Sequence, residues 1–152
     1  MSTIYRLRFD SRNIPENKLE SILREWGEPK TIEGRLEIAK TGIRCSISSE
    51  SVLGKELIEE TYGVFVDTSL SCIADKSDNH TQGIKNLVEL VVLILNRTCC
   101  DFIFMADDRT RLMRVAENIL VDSRDDSWWE IRFHDLLVRH GLRYEVEEMT
   151  DI

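Results

Sequence analysis

The side chains of this chain that could do chemistry are three histidines, four cysteines and two tandem aspartate pairs, Asp107-Asp108 and Asp125-Asp126. Catalysis needs a nucleophile with a base in reach, or a metal held by groups at a fitting spacing. His134 and His140 lie six residues apart on a stretch of helical periodicity. That puts them on different faces, not in the i, i+4 arrangement a shared metal prefers. His140 is in phase with Trp129, Phe133 and Leu136 and reads as a packed histidine at the edge of the core. Cys45, Cys72, Cys99 and Cys100 match no zinc or redox spacing. Cys45 and Cys72 fall on the apolar phase of strand-like segments and read as buried, reduced thiols. The vicinal pair Cys99-Cys100 could bind a soft metal or oxidise, but adjacent cysteines meet disulfide geometry poorly and no third ligand is close in sequence. The tandem aspartates offer oxygens to a hard cation, yet they lack the spacing of a calcium loop and are also ordinary turn residues. The glycines are scattered with no phosphate-cradling cluster, so no nucleotide or other cofactor is expected.

Whatever these residues do, a chain of 152 residues must position them on a single domain, residues 1–152, large enough for one sizeable core. Twenty Lys plus Arg against twenty-eight Asp plus Glu leave a net charge of −8. The average field repels phosphate backbones and anionic lipid, so neither nucleic acid nor a membrane is an expected partner. It attracts basic proteins, provided the acids are concentrated on one face; a charge of this size also serves plain solubility. The start of the chain, Met1 to Arg8, lacks the apolar core of a signal peptide. The longest apolar run, Leu90 to Leu95, is far short of the ~20 residues that span a bilayer. A cytoplasmic location is therefore expected.

Tyr5, Leu7 and Phe9 alternate with Arg6, Arg8 and Asp10, the period of a strand with one wet face. Leu19, Ile22, Leu23 and Trp26 follow at helical spacing, with Pro15 suited to the first turn and Gly27 and Pro29 marking the end. Leu36 and Ile38, then Ile43, Cys45 and Ile47, flank Lys40-Thr41-Gly42 as a hairpin. Ser49 to Thr61 is ambiguous, because Leu53, Leu57 and Ile58 fit one or two helical turns while Gly54 weakens them. Val64, Val66, Leu70 and Cys72 share a phase and predict a long strand to about Ala74. The run from Ile84 to Leu95 is apolar almost all round and predicts a buried helix. Phe102 to Met105 is continuously apolar, as in a strand covered on both faces. Leu112–Val115 and Ile119–Val121 predict a hairpin turning near Glu117-Asn118. Ser127 to Glu130 has the form of a capping box opening a last helix that Gly141 can end, and Arg143 to Glu148 reads as an edge strand. Many strands joined by short hairpins predict an α+β fold with a mainly antiparallel sheet and helices packed largely on one face.

Several of these pieces together resemble a known family. The opening Tyr5-Arg6-Leu7-Arg8 strand, Tyr62-Gly63 leading into a strand to Lys76, the Asp101-to-Asp108 segment, the Asn118-Ile-Leu-Val run and the paired tryptophans resemble the Sit-type immunity proteins of bacterial polymorphic toxin systems. The segment from Ser49 to Thr61 stands outside that outline. The resemblance implies a cytoplasmic protein that binds and neutralises a cognate toxin, with no catalytic residue. The expected contact face is acidic: Asp107, Asp108, Asp122, Asp125 and Asp126, with Trp128 as anchor. Its partner is a basic toxin domain, for which a nuclease is a fitting class, and a monomer is the favoured state. The rival readings are a small acidic secretion chaperone or adaptor that binds an exported effector, and an enzyme centred on His134 or Cys99. Dimerisation would favour the chaperone, and loss of function on substituting both residues would favour the enzyme.

Overall fold

The computed structural model describes residues 3–123 and 127–149, over 127–132 the backbone alone. The chain runs β1 (Ile4–Phe9), α1 (Glu16–Trp26), β2 (Glu28–Ile32), β3 (Arg35–Lys40), β4 (Ile43–Ser49), α2 (Val52–Tyr62), β5 (Thr68–Ala74), α3 (His80–Arg97), β6 (Phe102–Ala106), β7 (Arg109–Val115), β8 (Asn118–Asp122), α4 (Ser127–Arg139) and β9 (Glu145–Glu147). The nine strands form one sheet in the order β2-β3-β4-β5-β1-β6-β7-β8-β9. Its pairings are antiparallel except the last, where β9 lies parallel to β8. The α+β class and the largely antiparallel sheet expected from the sequence are thus what the chain adopts.

The main core lies between one face of the sheet and the helices α1, α3 and α4. It takes Leu7 and Phe9 from β1, Leu70 and Cys72 from β5, and Phe102 and Phe104 from β6. Against them stand Leu19 and Leu23 of α1, Leu87 to Leu95 of α3, and Phe133 and Leu137 of α4. Successive strand residues point to opposite faces, so Ile103 and Met105 face away from Phe104. There they meet Ile58 of α2, Val64, Val66, Met113 and Met149 in a second, smaller core. Three helices therefore cover one face and α2 covers part of the other. This explains why β6 is apolar at every position: it is buried on both sides.

Three expectations are revised. The predicted long strand begins only at Thr68, because Val64 and Val66 pack into the second core while Leu70 and Cys72 serve the first. The ambiguous segment is a full helix, α2, with the Ser51 hydroxyl accepting the Gly54 N–H at 3.0 Å and Gly63 ending it in the left-handed conformation. The hairpin after β7 turns on Ala116 and Glu117, both with positive φ, one residue before the expected place.

Helix α3 is seated on the β3–β4 turn by a close backbone approach. A Cβ on Gly83 would lie 2.1 Å from the Gly42 carbonyl oxygen, and Gly42 itself has φ +80°. Asn86, buried beside them, donates from its side chain to the Thr41 carbonyl at 2.8 Å, and the Trp26 indole donates to the Asn86 carbonyl at 3.0 Å. The other end of α3 is held by Arg114 of β7. This nearly buried guanidinium donates to the Cys100 carbonyl, the Leu95 carbonyl and the Thr98 hydroxyl, each at 2.8 Å, and covers the Phe102 ring. Loss of hydration lowers the Arg114 pKa from its ordinary value. A cation in this place complements the negative end of the helix.

Candidate functional site

The register of the sheet decides which charged turns share an end. Tyr5 stands opposite Cys72 and Ala106, so the start of β1 lies beside the end of β5 and the end of β6. Asp122 at the end of β8 stands opposite Glu147 at the end of β9. Asp75, Asp107, Asp108, Glu147 and Glu148 are consequently carried at one end of the sheet, and all are exposed. Of the cations near this end, Lys40 lies 3.9 Å from Glu89, Arg109 lies 3.4 Å from Asp122, and Lys76 stands exposed beside Asp75.

Within that end, Asp107 has a turn role. Its backbone has φ 54°, its carboxylate accepts the Ile4 N–H at 3.0 Å, and its own N–H donates to the Ile4 carbonyl at 2.9 Å. Asp108 is exposed beside it. Asp122 departs from the expectation of a surface aspartate. It is 1 % exposed, faces the Arg109 guanidinium and accepts the Met149 N–H at 3.1 Å, so it ties the last described residue to β8. A carboxylate this deeply buried and already bonded within the chain is not open to an outside protein, and its role is internal. Asp125 and Asp126 lie outside the described residues, and of Trp128 only the backbone position, in the first turn of α4, is described.

The residues weighed for catalysis are spread over the molecule. His80 contacts the Asp75 carbonyl at 2.7 Å at the start of α3, and His134 meets the Tyr144 hydroxyl between α4 and the segment leading to β9. His140 is exposed in the turn after α4, which corrects the expectation of a packed ring. Its phase matches Phe133 and Leu136, but the helix ends at Arg139, so the helical phase no longer directs the ring toward the core. Cys45 and Cys72 stand directly opposite each other on β4 and β5, their sulfurs 2.6 Å apart as free thiols. Burial, then the Cys72 thiol, pushes the Cys45 thiol well above its ordinary pKa, the opposite of an activated nucleophile. Cys99 is exposed and Cys100 half-buried. Among the described residues no group of three or more His, Cys, Asp or Glu could hold a metal ion. No described helix is long and apolar enough to cross a membrane.

The opposite end of the sheet is polar but self-contained. A cavity of about 430 Å³ there is lined by Ser11, Glu16, Lys55 and Asp67 among others. The Asp67 carboxylate accepts the Ser11 N–H at 2.8 Å and the Ser11 hydroxyl at 2.6 Å. Burial alone would raise the Asp67 pKa, but these bonds and the one from Thr68 hold it below its ordinary value. Asp10 is lowered by hydrogen bonds from the Arg12 side chain, at 2.7 Å for the shortest.

What the sequence did not single out is the outer side of α2. Ile58 is its buried anchor, while Val52, Leu53 and Leu57 are 71 %, 65 % and 37 % exposed. The available signal was the i, i+4 spacing of Leu53 and Leu57 behind a serine cap.

A nine-stranded, mainly antiparallel sheet with four helices and acidic turns at one end defines a small α+β protein. The SitI3-like family model matches residues 5–132, and the chain belongs to that family. The family name marks an immunity protein of a toxin system, which bears out the resemblance read from the sequence and implies a toxin protein as partner. Immunity proteins are in general not enzymes. No curated protein and no solved structure matches the chain.

Proposed function

We propose that the protein neutralises a cognate toxin by stoichiometric binding in the cytoplasm, as a monomer that meets a basic toxin surface with an acidic one. The reading is supported by family membership over most of the chain and by one observation above the rest. Asp107, Asp108, Glu147 and Glu148 are exposed at a single end of the sheet, in a protein of net charge −8. Such a field speeds encounter with a basic partner and suppresses encounter with acidic ones. Asp125, Asp126 and Trp128 belong to the proposed face by their place in the chain. Asp122 is left out, because its carboxylate is buried. A nuclease is the toxin class this charge suits, since a cleft built for phosphates also accepts carboxylates.

The test is co-expression with the C-terminal toxin domain encoded by the neighbouring reading frame. Rescue of growth together with a stable one-to-one complex is the expected result. Growth arrest despite folded protein, with no complex on size-exclusion chromatography, would overturn the proposal.

A further inference from the structure

Of the seven large apolar side chains exposed among the described residues, three, Val52, Leu53 and Leu57, lie on α2, while Phe65, just after it, has its ring against the Arg12 guanidinium at 4.7 Å. So tight a concentration marks a surface with a use, since scattered exposed apolar residues are ordinary and contiguous ones are not. Helix geometry arranges it: Leu53 and Leu57 are one turn apart and form a ridge, with Glu56 and Glu60 alongside at the i+3 positions. Glu56, Glu59 and Glu60 are all exposed, whereas the lysine of this helix, Lys55, is half-buried and its field acts on Asp67. Among the described residues α2 is the helix on this face of the sheet, beside Val64, Val66 and Met149, and it is anchored through Ile58 and through the hydrogen bond between the Tyr62 and Thr110 hydroxyls. Thr110 is two residues beyond Asp108, so the C-terminal end of α2 adjoins the acidic turn between β6 and β7.

We infer that the Leu53–Leu57 ridge of α2 is the apolar centre of the toxin-binding surface, and that the carboxylates of α2 and of the Asp107-Asp108 turn form its charged rim. The inference rests on the function proposed above and names where contact is made. It fits the general build of interfaces, in which a few buried apolar anchors supply affinity inside a polar border. The occupant follows from charge. A second copy would bring Glu56, Glu59 and Glu60 against their own kind, whereas a basic toxin domain with an apolar depression satisfies both the ridge and its border.

The test uses the full chain and the catalytically silenced toxin domain from the co-expression experiment. Leu53→Gln with Leu57→Gln keeps helix-forming residues at positions that face outward, so the urea midpoint should stay close to wild type. The expected result is a Kd weakened about 100-fold, mostly through faster dissociation. Glu60→Gln should instead slow association, and less so at high salt. Hydrogen exchange on the wild-type complex gives a reading independent of any substitution, with amides of residues 52–62 protected on binding. Wild-type binding with an unchanged Kd for the double variant and no protection of α2 would overturn the inference and leave the proposed function standing. Absence of wild-type binding would overturn both. A concentration-dependent dimer in sedimentation velocity that the double variant abolishes would overturn the toxin as occupant and make a second copy the ligand of the ridge.

Discussion

Replacing Arg114 by Met should cost more stability than any single surface change, because the guanidinium closes the end of the longest helix. The side chain is only 5 % exposed, and its three nitrogens meet three separate acceptors at 2.8 Å. Met matches the stem and keeps contact with Phe102, but leaves the Leu95 and Cys100 carbonyls and the Thr98 hydroxyl without this donor. Each buried acceptor so deprived costs about 1–3 kcal/mol. Relief from burying a cation, which the charge of Asp101 favours only in part, offsets some of the sum, and a net loss of about 3–5 kcal/mol follows. For a domain of this size that corresponds to a fall in Tm of about 6–20 °C, or roughly 2 M in the urea midpoint. Arg114→Lys should recover less than half, since one ammonium cannot reach three divergent acceptors. Urea unfolding followed by tryptophan fluorescence and by far-UV circular dichroism measures both variants. A loss below about 1 kcal/mol for Arg114→Met, or full recovery by Lys, would show that charge or packing alone holds this corner.

Gly83→Ala should destabilise by about 1–3 kcal/mol or more, because the new methyl group meets the Gly42 carbonyl, which is backbone and cannot step aside; an unchanged thermal midpoint would mean that α3 can slide. Asp10 and Asp67 have native pKa values held below the ordinary carboxylate range. Their contribution is therefore complete above about pH 4 and is lost as pH falls through the native values. Urea midpoints should accordingly fall steeply below about pH 4, and less steeply in Asp67→Asn; parallel curves for the two proteins would refute the assignment. Asp108→Lys should slow toxin association at low salt with little change in stability, whereas Asp122→Asn should lower stability by about 1–3 kcal/mol with association unchanged. Stopped-flow and urea titration separate the two, and the reverse pattern would mean that the surface and buried roles are exchanged.

The elements legible in the sequence are those with a strict division between a wet and a dry side. Tyr5, Leu7 and Phe9 announce β1, Leu19, Ile22, Leu23 and Trp26 announce α1, and Phe102 to Met105 announce a doubly covered strand. Strand β2 escaped notice because every residue from Glu28 to Ile32 is exposed, and it exists only through its pairing with β3. Helix α2 was ambiguous because Ile58 is its one fully buried residue, with Tyr62 partly covered, so its other apolar positions could not describe a buried stripe. That same disagreement between pattern and burial is what marks the helix as a surface. Asp122 looked like its neighbours in a run of acidic turns; the Arg109 side chain and the Met149 amide that claim it are remote or unmarked in the pattern. The acidic end as a whole needed the register of six strands before its members could be seen to share a side.

The place of β1 in the strand order has a consequence for how the molecule assembles. On one side β2 to β5, and on the other β6 to β8, follow one another in space as they do along the chain, and each series can zip up from neighbouring segments. The first strand alone breaks this rule, pairing Leu7 with both Leu70 and Phe104. Newly made on a ribosome, it must wait first for β5 and then for β6 before both its edges are paired, and it serves as the seam that joins the two halves. Lesions in this opening strand should thus leave two locally formed meanders with nothing to unite them, a failure of assembly rather than of either part.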